Sequence, residues 1–322
     1  MTVQGRDISV IIPVYNREST LRATLDSIAG QIELPGEIII VDNNSTDGSV
    51  EVANDFVSKF KGCPVVIISC KARGASAARN AGAAVASGSM LLFFDSDDIM
   101  YPSLIATYCR ALSFGKNARM VVVPQHFRML DGKLRTVNHP LHGDAVVSQI
   151  LHTIVTTNNM LVQKSVFEAV GEWNEDLPSW NDWEFGLRLL LRFGRDTLFL
   201  HNVPPRLCHV LQEKSITGNG FSHHLDACLS AISAAETNIK AAPQERRHLY
   251  AHLLAYKRVM LAAQATREGD KRGVVLLQAV LTTLPTRSLR VAYRLIYRYI
   301  STGLPGGSRL ALTASRIYLK IK

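Results

Sequence analysis

Between Ile8 and Pro124, short runs of apolar, largely β-branched residues alternate with longer segments of helical character. That order commits a chain to βαβ units and a mainly parallel sheet. Strands are predicted at Ile8–Pro13, Glu37–Asp42, Val65–Cys70, Met90–Asp95 and Met120–Pro124. Their runs do not alternate apolar with polar residues, as expected of strands covered by helices on both faces. Helices are predicted between them at Ser19–Ala29, Asp47–Phe60, Ser76–Ala86 and Pro102–Leu112, with Ser45 as N-cap of the second and Pro102 in the first turn of the fourth. Beyond Pro124 the pattern loosens. Asp131-Gly132 marks a hairpin turn, Lys164–Val170 and Trp183–Arg192 read as helices, and Thr197–His201 reads as a strand. From about Phe221 the chain reads as helical, in four segments: Leu225–Ala241, Pro243–Gly269, Arg272–Leu284 and Thr286–Ile300. The breaker cluster Gly218-Asn219-Gly220 sets the expected boundary between a domain of residues 1–220 and a helical region of residues 221–322.

Charge is unevenly placed along this plan. The 322 residues hold 36 Lys+Arg against 27 Asp+Glu, a net charge of +9, which calls for an anionic partner: a nucleotide, a nucleic acid or a lipid surface. From Lys271 onward there are 10 basic residues and no acid, whereas residues 1–270 carry a net charge of −1. The surplus belongs to the tail. A composition 47 % hydrophobic and 20 % charged excludes a disordered, collagen-like or coiled-coil chain. Five widely spaced cysteines without a C-x-x-C pair point to a reduced, cytoplasmic setting. The short polar start and the lack of a long apolar stretch predict neither a signal peptide nor a spanning helix.

The chemistry-bearing residues gather at the carboxyl ends of the predicted strands, where open α/β sheets bind ligands. Asn16 follows the first strand, Asp42-Asn43-Asn44 the second and Asp95-Ser96-Asp97-Asp98 the fourth. Any one of them alone is an ordinary turn residue. Two carboxylates one residue apart at a strand end can, together with a diphosphate, hold Mg²⁺ or Mn²⁺, and a third acid beside them repels unless a cation is near. The segment from Lys71 to Gly82 enters a helix with small residues at its start, so free N–H groups and Arg73 or Arg79 are available to phosphate. In Trp180-Asn181-Asp182-Trp183-Glu184, two acids stand among aromatic rings. Such a carboxylate serves as a general base, or Asn181 or Asp182 serves as a helix cap.

Taken in order, Ile8-Ser-Val-Ile-Ile-Pro-Val-Tyr-Asn-Arg, Val41-Asp-Asn-Asn-Ser-Thr-Asp-Gly-Ser, Gly74-Ala-Ser-Ala-Ala-Arg-Asn-Ala-Gly and Leu92-Phe-Phe-Asp-Ser-Asp-Asp resemble the family 2 glycosyltransferases over residues 7 to 217. The resemblance implies a GT-A fold, with a Rossmann-like, mostly parallel sheet, flanking helices and a helical C-terminal region. It implies that Pro13, Val14 and Tyr15 line the base and ribose pocket, with Asn16 and Ser96 also at the nucleotide sugar. Asp42 is then bonded to the base, Arg79 lies by the diphosphate, Asp95 reaches ribose or metal, and Asp97 binds a divalent cation, Mn²⁺ or Mg²⁺. Asp182 takes the place of the family's base, with Glu184 as rival, because Asn181 stands where the family usually has Glu. Near Ser215-Ile216-Thr217 the family often has a metal-binding His; Gln212 lies closest to that spacing and His209 is taken as the candidate ligand.

The implied reaction is inverting transfer of a sugar, expected from a UDP-sugar, to a hydroxyl of a glycan or lipid-linked acceptor in cell-surface polysaccharide synthesis. The rivals are a sugar-phosphate nucleotidyltransferase, whose Gly-rich opening loop is missing after Pro13, and a nucleic-acid-binding protein, for which the tail holds no recognised motif. Nucleic acid is not expected as a partner. In the tail helix, Arg287, Arg290, Arg294 and Arg298 share one side, opposite Leu289, Ala292, Tyr293, Ile296, Tyr299 and Ile300. Such a helix either lies in an anionic membrane, sinking its apolar face, or packs on the protein with a solvated Arg face. The first would make the protein peripheral at the inner face of the cell membrane.

Overall fold

The computed structural model describes residues 3–115, 117–137, 143–211, 222–304 and 306–319. The boundary cluster Gly218–Gly220, Ser215–Thr217 and Gln212 lie outside them. The chain forms two compact units. The first comprises Met1–His139, Val155–Phe185 and Arg192–Glu213, and the second Pro140–Ile154, Gly186–Leu191 and Lys214–Lys322. Residues 143–154 and 186–191 fall within the second unit.

The elements run β1 (Ile8–Val14), α1 (Leu21–Ala29), β2 (Glu37–Asp42), α2 (Ser49–Lys59), β3 (Val65–Ser69), α3 (Ala75–Val85), β4 (Met90–Phe93), β5 (Ile99–Met100), α4 (Leu104–Phe114), β6 (Met120–Val122), β7 (Gln125–Arg128) and β8 (Leu134–Val137). They continue with α5 (Ala145–His152), β9 (Met160–Gln163), α6 (Lys164–Ala169), α7 (Asn181–Phe193), β10 (Thr197–Phe199), β11 (Leu207–Val210), α8 (Leu225–Asn238), α9 (Gln244–Arg267), α10 (Arg272–Thr283), α11 (Arg287–Ser301) and α12 (Gly307–Leu319).

In the first unit a seven-stranded sheet has the order β10-β6-β9-β4-β1-β2-β3. It is parallel except at β9, which runs antiparallel to both β4 and β6. Every residue of β1 is buried, as suits a strand flanked on both sides and covered on both faces. The edge strand β3 is only half-covered, with Val66 41 % exposed, which departs from the uniform burial expected of these strands. Gly82 explains how closely α3 lies on the sheet, because a Cβ there would meet Ile11 Cγ2 at 2.4 Å and Val41 Cγ2 at 3.1 Å. A second sheet, β5-β11-β7-β8, contains the hairpin that turns at Asp131-Gly132, where Gly132 takes a positive φ of 79°.

Two local expectations change. Ser45 does not cap α2, which begins at Ser49 behind Gly48; its hydroxyl instead accepts the Asn16 N–H at 3.1 Å. Pro102 stands before α4, whose first residue is Leu104. The strands β5, β9 and β11 and the helices α5 and α12 have no counterpart in the sequence reading. β9 is four residues long and follows the polar run Thr156–Asn159, too short for its period to be read.

In the second unit the 24-residue α9 is the central element, with α5, α8, α10, α11 and α12 packed on it. Leu249, Leu253, Val259 and Leu261 are buried along its length. The Tyr250 hydroxyl donates to Asp144 Oδ2 at 2.8 Å, and Asp144 also caps α5 by accepting the N–H groups of Val146 and Val147.

Candidate active site

The register of the central strands brings three loop starts to one level. Val14 pairs with Asp42, and Ile11 with Phe93, so Asp95 stands level with Pro13. This is the carboxyl edge of β4, β1 and β2, at the point where the strand order reverses. Each loop is tied down by its own polar residues. Asn16, at φ 51°, accepts the Thr46 N–H at 2.8 Å and so holds the loop after β2. Asn43 is 6 % exposed; its Nδ2 donates to the carbonyls of Cys70 and Ala72, and its Oδ1 accepts the Gly74 N–H. Asp42 has a lighter task, accepting the Ser45 N–H at 3.2 Å, and remains half-buried at the edge. Tyr15 is 57 % exposed, a flat ring open to solvent at the end of β1.

Not every expected donor residue faces this edge. Val14 is 2 % exposed and packs in the core with Val10 and Ile12, and Pro13 is buried in the strand. Their side chains do not line an open pocket, because strand alternation turns each toward a covered face of the sheet. Ser96 is likewise buried, and its carbonyl accepts the Thr20 hydroxyl, so it spaces Asp95 from Asp97.

The acids after β4 have three different environments. Asp95 Oδ1 accepts from Arg79 Nη2 at 2.7 Å. Arg79 is 5 % exposed, with its guanidinium 4.6 Å from the Trp173 ring centroid. Its Nε and Nη1 are buried with no hydrogen-bond partner. Unmatched guanidinium donors beside a ligand-binding edge are costly unless an anion accepts from them. Asp97 faces Arg17 Nη2 at 3.4 Å. Burial first, and then the charges of Asp98 and Asp95, push its carboxyl up to about 6, with Arg17 opposing. Asp98 is tied inward: His209 Nδ1 lies 2.7 Å from its Oδ2, the Val210 N–H donates to Oδ1, and Asn158 Nδ2 donates to Oδ2. Asn158 also accepts the Asp95 N–H at 2.9 Å and so locks the turn.

His209 is not placed as a metal ligand, which corrects the expectation. Nδ1 faces Asp98, Nε2 lies 2.8 Å from Gln125 Oε1, and the ring stacks on Phe127. Burial disfavours its charge, but Asp98, with Asp95 and Asp182 behind it, outweighs burial and raises its pKa. With both ring nitrogens facing protein partners, neither is left open toward the sheet edge. Among the described residues, no group of three or more His, Cys, Asp or Glu side chains forms a metal cage. Asp95 and Asp97 nevertheless suit a hard cation of the Mg²⁺ or Mn²⁺ type, which is held by one or two carboxylates and completed by substrate phosphates.

At the start of α7, Asp182 Oδ1 accepts the Trp183 N–H at 2.7 Å, and Asn181 Nδ2 donates to Ser76 Oγ at 3.2 Å. Neither residue precedes the helix as a cap, since α7 begins at Asn181. Trp180, just before it, has φ 55°, an uncommon conformation for a bulky residue that turns the chain into the helix. Burial raises the Asp182 pKa; the Trp183 N–H and Arg79 oppose this, while Asp95 adds to it. Glu184 is 1 % exposed, whereas Asp182 is half-buried and within electrostatic reach of Arg79, Asp95 and His209.

Sequence reasoning passed over Arg17, Gln125, Asn158 and Trp173. The only local sign was polar Asn158-Asn159 directly ahead of the apolar Met160-Leu161-Val162.

Residues 9–171 match the family model described as glycosyl transferase family 2. An uncharacterized glycosyltransferase of Haemophilus influenzae is 27 % identical over 187 residues, which cover 57 % of this chain and 62 % of the relative, so the chain spans less than two thirds of that protein. TarS 1-349 of S. aureus, solved in complex with UDP-GlcNAc, has a TM-score of 0.69 at 17 % identity, covering 97 % of this chain and 91 % of that one. Mannosyltransferase PcManGT of Pyrobaculum calidifontis, in complex with GDP-Man and Mn²⁺, has a TM-score of 0.55 at 17 % identity, covering 98 % and 87 %. These likenesses confirm the GT-A type of sheet with its helical C-terminal region. With half of its length inside the family model and the four motifs at the strand ends, the chain belongs to glycosyl transferase family 2.

Proposed function

We propose that the protein moves a sugar from a UDP-sugar to a hydroxyl of a glycan or lipid-linked acceptor, with inversion at the anomeric carbon, in cell-surface polysaccharide synthesis. The observation that carries this reading is Arg79, whose two buried, unpartnered nitrogens lie beside Asp95 and within electrostatic reach of Asp182. A diphosphate satisfies such donors, and a sugar attached to it lies near a carboxyl suited to take a proton. The likeness to TarS, solved in complex with UDP-GlcNAc, supports a UDP-sugar as the donor to test first.

In this reading Tyr15 stacks on the base, Asp42 accepts from its N–H, and Asn16 and Asn43 hold the loops that carry them. The N–H groups at the start of α3, ahead of the first intrahelical bond from Ala78 to Gly74, add a partial positive charge beside the phosphates. Asp182 accepts the proton of the acceptor hydroxyl as its oxygen attacks the anomeric carbon from the face opposite the nucleotide. The bond from that carbon to the phosphate oxygen breaks as the new one forms. Arg79 stabilises the charge gathering on the leaving diphosphate, a pre-placed contribution of about 3 to 4 kcal/mol in comparable sites. Asp97 and Asp95 would hold a divalent cation, which when bound supplies Lewis-acid neutralisation of the phosphates. His209, locked against Asp98, keeps the Asp95–Asp98 turn in shape.

The direct test is thermal stabilisation by UDP-, GDP- and dTDP-sugars with Mn²⁺ present, followed by product analysis. The largest shift is expected with a UDP-sugar, and UDP, not pyrophosphate, as the released product. A larger shift with a GDP- or dTDP-sugar would overturn the choice of nucleotide, and no shift with any would overturn the donor site itself.

A further inference from the structure

The apolar side of α11 does not await a membrane. Leu289, Tyr293 and Ile296 are 2 %, 0 % and 4 % exposed, packed within the helical unit, and the Tyr293 hydroxyl donates to the His252 carbonyl at 2.7 Å. The face expected to enter lipid is thus covered by protein, and the opposite face becomes the informative one. At 100° per residue, Arg290, Arg294, Arg287 and Arg298 span about 80°, and Val291 and Leu295 continue the same face over about another 60°. All four arginines are exposed, Val291 is 46 % exposed and Leu295 is 59 % exposed.

These arginines have no acidic partner among the described residues, and no acid follows Asp270 in the sequence. Arg290 bonds only the Thr286 carbonyl of its own helix end. Elsewhere in the same unit the pattern differs: Arg258 is paired with Glu236, and Arg272 with Asp226 and Asp270. The next helix, α12, also exposes Arg309 with Leu310 and Ile317. Four unpaired guanidiniums edged by two exposed aliphatic side chains match a surface that is anionic at its face and apolar just beneath. A second copy of the chain would set like charges against each other. Single-stranded nucleic acid favours exposed aromatic platforms, and this face has none, since Tyr293 is buried and Tyr297 and Tyr299 are half-buried.

We infer that the outer face of α11 is a docking surface for an anionic lipid bilayer, with the four arginines at the headgroup phosphates and Val291 and Leu295 entering the boundary below them. The helix lies on the membrane; no helix among the described residues is long and apolar enough to cross one. The inference stands apart from the donor reading, because it uses no residue of the sheet edge.

The test is co-sedimentation of the full chain with phosphatidylcholine vesicles and with vesicles containing 30 % phosphatidylglycerol. Binding is expected to the anionic vesicles and to fall between about 0.1 and 0.5 M salt. Replacing Arg287, Arg290, Arg294 and Arg298 by Gln should weaken it on the order of several hundred-fold, at about five-fold per basic residue, while replacing all four by Lys should retain most of it. Val291→Ser with Leu295→Ser should weaken it less. The Lys variant and an unchanged melting curve separate lost charge from lost folding. Equal binding to both vesicles, full binding by the Gln variant, or binding to duplex DNA in place of vesicles would each overturn the inference.

Discussion

Asp97→Asn is expected to make the protein more stable and less able to use a cation. Asp97 keeps 21 % of its side chain exposed, and its carboxyl is raised from 3.8 to about 6 by burial and by its acidic neighbours. A carboxyl whose folded pKa exceeds the unfolded one imposes no penalty below about pH 3.8, where both states are protonated. The penalty grows as pH rises from 3.8 to about 6 and is complete above that, because only the unfolded chain ionises freely. The gap corresponds to about 3 kcal/mol at neutral pH. Asn removes the charge and leaves Arg17 without its partner; that arginine is 41 % exposed, so the lost pair is worth about 0–1 kcal/mol. The net gain is about 2 kcal/mol, or roughly 4–8 °C in melting temperature for a unit of this size. Thermal unfolding of both proteins without divalent metal, from pH 3.5 to 8, reads it directly. The gain should be full above pH 7 and vanish near pH 4, and the variant should lose most of the Mn²⁺-dependent stabilisation seen with the nucleotide sugar. A gain independent of pH, or none at pH 8, would refute the reasoning.

Five further outcomes follow from the same geometry. Asp182→Asn should lower kcat by about 10²–10⁴-fold while donor binding, measured by calorimetry, stays near normal; full activity would remove Asp182 as base. Because its pKa is raised, the acid limb of the kcat profile should lie above the usual carboxylate range, activity falling as pH drops through it. Arg79→Met removes the buried donors and should cost about 10²–10³-fold in kcat with weaker nucleotide binding, measured by initial rates and titration. Asn43→Ala strands the Cys70 and Ala72 carbonyls and the Gly74 N–H, and should destabilise the protein by about 2 kcal/mol in urea unfolding. EDTA should stop turnover and Mn²⁺ should restore it; activity persisting in EDTA would sink the cation assignment.

Much of the first unit was legible because its signals are local. Apolar runs such as Ile8–Val14 and Glu37–Asp42, each closed by polar turn residues, can be read as strand ends without knowing their neighbours. The D-x-D acids stood out for the same reason, whereas Arg79 and Asp182 were singled out from their neighbours only by the family resemblance. The order of βαβ units then places these ends on one edge, since parallel strands with short loops leave few other arrangements.

Which of those residues face a ligand depended on contacts between distant parts of the chain. Val14 turned out to be core and Ser96 a spacer. His209, a candidate ligand by spacing, has both ring nitrogens committed to Asp98 and Gln125, and Asn158 reaches Asp98 across 60 residues. The tail shows the same division. Its excess of arginine is evident in the sequence, but only packing decided that Leu289, Tyr293 and Ile296 are covered, leaving the Arg face with Val291 and Leu295 outside. Hydrophobic period and turn chemistry depend on near neighbours and so survive in a linear reading. Burial, ion pairing and pKa depend on distances through space, which arise only when the chain has closed on itself.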